Sequence, residues 1–231
     1  MKYRLFLFDL DDTLFDFSAS NAWSFRRMLS ASDAVVSPDQ VFADFLEIDS
    51  GLWKQFEQGL VSRDQLKVER FVRTFAKHGV TMDAEQANQL YLQGLSEHVA
   101  LVEGAVEVCK ALATVGEVGV ITNGFEQVQR QRVANAGLQP YVSFLASSEA
   151  CGYAKPDTRL FDFAVGQAKA FSRDSTLIIG DRLDADILGG NNFAISSCWF
   201  NPSAAPNASG VQPTYEIAHL TELLRLVGVR G

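Results

Sequence analysis

The chain has 231 residues, 47% hydrophobic and 21% charged, the balance of a globular protein long enough to bury a core without disulfide staples. It carries 28 acidic against 20 basic residues, a net charge of −8, which argues against a nucleic acid polymer as partner, since binding a phosphate backbone needs a basic face. Its three cysteines, Cys109, Cys151 and Cys198, show no CxxC spacing and read as buried thiols of a reducing compartment.

From Leu5 to Phe8 the chain is continuously apolar and then turns acidic, which suits a strand buried on both faces of a parallel sheet. The basic lead of Lys2 and Arg4 imitates a secretion signal, but the apolar run is too short for an h-region. No stretch approaches membrane-spanning length, so a cytoplasmic protein with no membrane partner is expected. From about Asp16 to Ala100 no strand pattern recurs. Phe25, Met28 and Leu29 lie at helical spacing, as do Val41, Phe42, Phe45 and Leu46, and then Leu66, Phe71 and Phe75. Ser37-Pro38-Asp39 and Thr81 to Glu85 look like helix starts.

Beyond residue 100, apolar runs recur at 118–121, 144–146, 177–179 and 195–200, with helical patterns at 104–115, 125–136, 157–170 and 184–192. A loop over 201–213, rich in Pro, Ala, Asn and Ser, precedes a last helix expected over 217–227. Strand and helix alternate, which predicts a doubly wound α/β core with right-handed crossovers. Residues 1–15 and 101–231 form that core, and 16–100 form an inserted all-helical domain.

In such a sheet, ligands bind beyond the carboxyl ends of the strands. The first run is followed by Asp9-Leu10-Asp11-Asp12-Thr13 and the second by Thr122-Asn123-Gly124. Past a short loop the third delivers Lys155-Pro156-Asp157, and the fourth delivers Gly180-Asp181 and then Asp186. Residues two apart in extended chain point to one side, so the carboxylates of Asp9 and Asp11 can share a pocket. Asp9 would attack phosphorus as a covalent nucleophile. Asp11 would protonate the leaving oxygen and later deprotonate the hydrolytic water. Taken alone, an acidic turn or a helix cap explains the pair as well. Thr122 and Lys155 would stabilise charge on the transferring phosphoryl group.

Two like unit charges about 4 Å apart repel by about 4 kcal/mol at an effective dielectric of about 20. A phosphate dianion beside Asp9, Asp11, Asp181 and Asp186 meets several such terms, and Lys155 alone cannot cancel them. A hard divalent ion with oxygen ligands can, which points to Mg²⁺. His78, His98 and His219 are scattered and offer no zinc cluster.

These residues resemble a known superfamily. Asp9-Leu10-Asp11-Asp12-Thr13-Leu14 is similar to the first motif, DxDxT, of haloacid dehalogenase-like hydrolases, and Ile121-Thr122-Asn123-Gly124 to the second. Ala154-Lys155-Pro156-Asp157 resembles the third, and Gly180-Asp181 through Asp186 the fourth, GDxxxxD. The resemblance implies a Rossmann-like parallel sheet with helices on both faces and a helical cap inserted after the first motif. It implies Asp9 as nucleophile, Asp11 as acid and base, and Thr122, Asn123 and Lys155 as substrate contacts. Mg²⁺ would take the Asp9 carboxylate, the Asp11 backbone carbonyl and Asp181, with Asp186 acting through water or orienting Lys155. The dehalogenase branch lacks an aspartate at the position of Asp11, so the resemblance favours a phosphatase.

A narrower resemblance, to bacterial house-cleaning pyrimidine 5′-nucleotidases, rests on Asp12-Thr13-Leu14-Phe15, Gly124-Phe125, Phe161-Asp162 and Asp186-Ile187-Leu188-Gly189-Gly190. Leu52-Trp53, Phe56, Gly59 and Arg70-Phe71 fit the same group. It implies a phosphoric monoester hydrolase acting on a nucleoside monophosphate. The alternatives are a sugar-phosphate or general metabolite phosphatase of the same fold, and a non-catalytic phospho-ligand binder. Monomer and dimer both stay open. Phe193 departs from the family, which often has Ala before a Gly there. Phe15, Phe17, Trp23, Trp53 and Arg70 are conceivable contacts to a base, though packing accounts for any one of them more readily.

Overall fold

Leu5–Phe8 forms strand β1 with all four residues buried, as four consecutive apolar side chains require of a strand covered on both faces. The computed structural model describes residues 2–32 and 34–229. Five further strands follow: β2 (Glu117–Thr122), β3 (Phe144–Ser147), β4 (Thr176–Gly180), β5 (Ser196–Phe200) and β6 (Tyr215–Ile217). They form one sheet in the order β3-β2-β1-β4-β5-β6, and every neighbouring pair is parallel. The register sets Phe8 level with Val120 on one side and Ile179 on the other. From β1 the chain builds outward to β2 and β3, then crosses back to lay β4 on the opposite side. The carboxyl end of β1 is therefore the point where the strand order reverses, which is where crevices open in such sheets.

The chain divides into two units, Met1–Phe17 with Val99–Gly231, and Ser18–His98. The second unit is built from α1 (Phe17–Leu29), α2 (Pro38–Glu57), α3 (Arg63–His78) and α4 (Ala84–Glu97). Its core is aromatic. The Phe45 ring lies 4.6 Å from Phe25, 5.4 Å from Phe71 and 5.5 Å from Tyr91. A reciprocal cap between Ser62 and Gln65 starts α3, and Asp83 caps α4, each satisfying amides that the first helical turn leaves open. Arg70 is buried here, with Nη1 donating to Asp49 Oδ1 at 3.2 Å and Nη2 to Asn88 Oδ1 at 2.7 Å. It packs this unit from within, which removes it from the conceivable base contacts.

In the first unit, helices cover both faces of the sheet. They are α5 (Ala105–Ala113), α6 (Glu126–Asn135), α7 (Ser148–Cys151), α8 (Thr158–Val165), α9 (Leu188–Asn192) and α10 (Glu222–Val227), with a π-helical turn at Leu183–Ile187 leading into α9. Phe6, Phe8, Val120 and Ile179 pack with Val108, Leu112 and Leu223. Leu5, Leu7 and Ile178 pack with Leu160, Phe161 and Phe193. The alternation along β1 assigns successive side chains to opposite faces.

Two expectations change in detail. The helix expected over 157–170 stops at Val165. The last helix begins at Glu222 rather than 217, because Tyr215–Ile217 pairs with β5 and Glu222 Oε1 accepts the amides of Ala218 and His219. Phe193, the departure from the family pattern, is buried and stacks on Phe161 at 5.5 Å. Ala194 beside it holds φ at 58°. No helix among the described residues is long and apolar enough to cross a membrane.

Candidate active site

The site forms at the reversal point because β1, β2 and β4 end side by side. Asp9 follows β1 directly, and its amide donates to Ile179 O at 2.9 Å, extending the sheet pairing by one residue. The chain then folds tightly. Leu10 O accepts the amides of Leu14 and Phe15 at 2.9 and 2.8 Å. Asp12 takes φ of 60°, a left-handed conformation that aspartate tolerates better than bulkier residues. Asp12 Oδ1 also accepts the Phe17 amide at 3.1 Å. This turn carries Thr13 back under the site, where its hydroxyl donates to Asp181 Oδ1 at 3.2 Å.

Lys155 is 3% exposed and uses its ammonium on three acceptors. One is Asp9 Oδ1, in a very short contact. Another is Ile121 O at 2.8 Å. The third is Asp186 Oδ1 at 2.7 Å, an ion pair outside hydrogen-bond alignment, since that oxygen has no aligned donor. Asn123 holds the lysine in place: its Oδ1 accepts the Lys155 amide at 2.7 Å and its Nδ2 donates to Lys155 O at 3.2 Å. Asn123 was expected among the substrate contacts. Both of these bonds go to the backbone of Lys155.

Asp186 rises from the π-helical turn and its Oδ2 accepts the Arg182 amide at 3.0 Å. The carboxylate packs so closely over Gly180 that a Cβ there would lie 2.3 Å from Asp186 Cγ. Only glycine fits that contact. Asp181 is fixed from behind, its backbone carbonyl accepting Trp199 Nε1 at 2.8 Å.

Asp9, Asp181 and Asp186 each offer a carboxylate oxygen, and all lie within 4.8 Å of one another. Burial pushes the Asp9 carboxyl up to about 7; Lys155 opposes this, while Asp186 and Asp11 add to it. Burial likewise pushes Asp181 up to about 8, reinforced by Asp186, Asp9 and Asp12. Burial alone would lower the Lys155 ammonium, but Asp186 and Asp9 outweigh it and hold it above the usual range. The cluster is therefore short of positive charge. Oxygen-only donors, buried and short of a cation, fit a hard divalent ion such as Mg²⁺. Asp186, expected behind the metal ligands, is part of this carboxylate cluster as well as a partner of Lys155.

The Asp11 carboxylate is held by two side chains of α6. Arg132 Nη1 donates to its Oδ1 in a short ion pair, and Gln129 Nε2 donates to its Oδ2 at 2.7 Å. Neither Gln129 nor Arg132 stood out in the sequence. The available signal was the poverty of α6: Glu126–Asn135 contains only Val128, Val133 and Ala134 as apolar residues. A helix so poor in apolar side chains must bury polar ones.

Fold and site together define a haloacid dehalogenase-like hydrolase. That family's model matches residues 3–193, and the chain belongs to the family. It is 34% identical over 230 residues to the HAD-hydrolase YfnB of Bacillus subtilis, covering 100% of this chain and 97% of that one. A crystal structure of YfnB bound to magnesium, which reveals interdomain movement, superposes with a TM-score of 0.90 over 99% of this chain and 100% of that one. The pyrimidine 5′-nucleotidase YjjG of Escherichia coli is 32% identical over 98% of this chain and 99% of its own length. The pyrimidine 5′-nucleotidase PynA of Streptococcus pneumoniae is 34% identical over 97% and 94%.

Proposed function

We propose that this protein is a Mg²⁺-dependent phosphatase that hydrolyses nucleoside 5′-monophosphates, pyrimidine ones foremost, through an aspartyl-phosphate on Asp9. The observation that carries the chemistry is the Asp9 carboxylate, buried against the Lys155 ammonium at the sheet's reversal point. The substrate class rests on YjjG and PynA, two relatives similar over nearly the whole chain.

In the first step an Asp9 carboxylate oxygen attacks phosphorus, and the bond from phosphorus to the ester oxygen breaks. Asp11 gives its proton to that departing oxygen. In the second step Asp11 takes a proton from water, the water oxygen bonds to phosphorus, and the bond to Asp9 breaks. Phosphate leaves and both carboxyl groups return to their starting states. Lys155 and the Thr122 hydroxyl bind the phosphoryl oxygens. Asp9, Asp181 and the Asp11 carbonyl would hold Mg²⁺, which supplies charge neutralisation between carboxylates and phosphate. The helical segment 16–100 is read as the cap domain of this family, and the protein as cytoplasmic.

Phosphate release from a panel of nucleoside monophosphates and sugar phosphates, with magnesium and with chelator, tests this reading. Magnesium-dependent preference for pyrimidine monophosphates is expected. Preference for sugar phosphates would move the substrate class while keeping the chemistry. Equal release in chelator would contradict the metal assignment.

A further inference from the structure

We propose that the Trp199 indole is a positioning residue for the divalent ion, setting through one peptide plane where the Asp181 and Asp186 carboxylates stand. The proposal rests on the metal reading above and deepens it, since Trp199 belongs to none of the motifs that carry the chemistry.

Trp199 is a rigid base for such a role. It lies on β5, level with Gly180 of β4 on one side and Glu216 of β6 on the other, and is 5% exposed. A backbone paired on both sides and a ring enclosed by packing leave the indole N–H little freedom. That N–H donates to Asp181 O at 2.8 Å.

Asp181 O belongs to the same peptide group as the Arg182 N–H. The bond is trans, so the two point to opposite sides. The Arg182 N–H donates to Asp186 Oδ2 at 3.0 Å. Arg182 O in turn accepts the amides of Asp186 and Ile187 at 2.9 and 3.2 Å. One peptide plane is thus pinned by Trp199 at its oxygen and by Asp186 at its nitrogen. A donor on the carbonyl also polarises the peptide, which strengthens its N–H toward the carboxylate. Asp186 carries this orientation on to the Lys155 ammonium, 2.7 Å from its Oδ1. Asp181 is held at a second point, where the Thr13 hydroxyl donates to its Oδ1 at 3.2 Å. Without the indole donor the plane is free to turn, and the two carboxylates lose their common reference.

Trp199→Phe keeps a ring and deletes the donor. Titration calorimetry with Mg²⁺ alone should give a Kd about 10-fold higher than wild type or more, the usual effect of losing an outer hydrogen bond to a metal ligand. Phe193→Leu, a packing loss in the same unit that touches none of these hydrogen bonds, should keep the wild-type Kd. Wild-type affinity in Trp199→Phe, or an equal loss in Phe193→Leu, would overturn the proposal. Should Trp199→Phe fail to fold, the wild-type chain labelled with ¹⁵N-tryptophan carries the test. Of its three indole resonances, that of Trp199 is the one kept in both Trp23→Phe and Trp53→Phe. It should shift as Mg²⁺ is added, with the calorimetric midpoint, and an unmoved resonance would overturn the proposal. A wild-type chain that binds no Mg²⁺ would instead sink the metal reading, and this proposal with it.

Discussion

At the residue scale, activity turns on which carboxylates are ionised and what holds them. Asp9→Asn should abolish turnover under saturating substrate, and Asp11→Asn should slow it about 100-fold or more for an alkyl phosphate. Steady-state rates on purified variants, with circular dichroism as a folding control, check both. The carboxyls of Asp9 and Asp181, pushed from 3.8 up to about 7 and about 8, also set a pH dependence. Without metal, the folded chain holds protons between about pH 4 and 8 that the unfolded chain has released, so stability falls as pH rises through that window. Mg²⁺ takes the ionised carboxylates, so its affinity should rise from pH 6 to 8 with proton release. Titration calorimetry in buffers of different ionisation enthalpy measures this directly, and pH-independent affinity would contradict it.

At the element scale, the strand ends were legible because each apolar run stops at a chemically distinctive residue: Asp9, Thr122, Asp181. Lys155 follows a loop and short α7, and it lies beside Asp9. What the sequence hid was sideways reach. Gln129 and Arg132 lie on a helix lacking a clear apolar stripe, and their contact with Asp11 spans more than a hundred residues. Tyr215–Ile217 is too short for any periodicity to announce a strand, and only pairing with β5 makes it one. Gly180 has no side chain to announce a role in sequence, yet it admits Asp186. Gly180→Ala should displace that carboxylate and unseat Lys155, cutting activity while leaving most of the sheet intact. In the helical unit, Phe45→Ala removes the ring shared by Phe25, Phe71 and Tyr91. It should cost about 3–5 kcal/mol in chemical denaturation.

At the scale of the whole molecule, an acidic chain of net charge −8 gathers its carboxylates where one cation can neutralise them. Mg²⁺ should therefore raise the melting temperature relative to chelator, by mass action on the folded state. Ca²⁺, with longer and looser coordination, should bind yet fail to support turnover. Equal rates in the two ions would undo the metal assignment. The covalent step at Asp9 is tested by acid quenching during turnover of a phosphate ester with Mg²⁺. Mass spectrometry of the peptide containing Asp9 should find one phosphoryl group there, lost on treatment with hydroxylamine and missing in Asp9→Asn. Rapid turnover with an unmodified Asp9 at every quench time, or an Asp9→Asn variant that keeps near-wild-type rates, would contradict it.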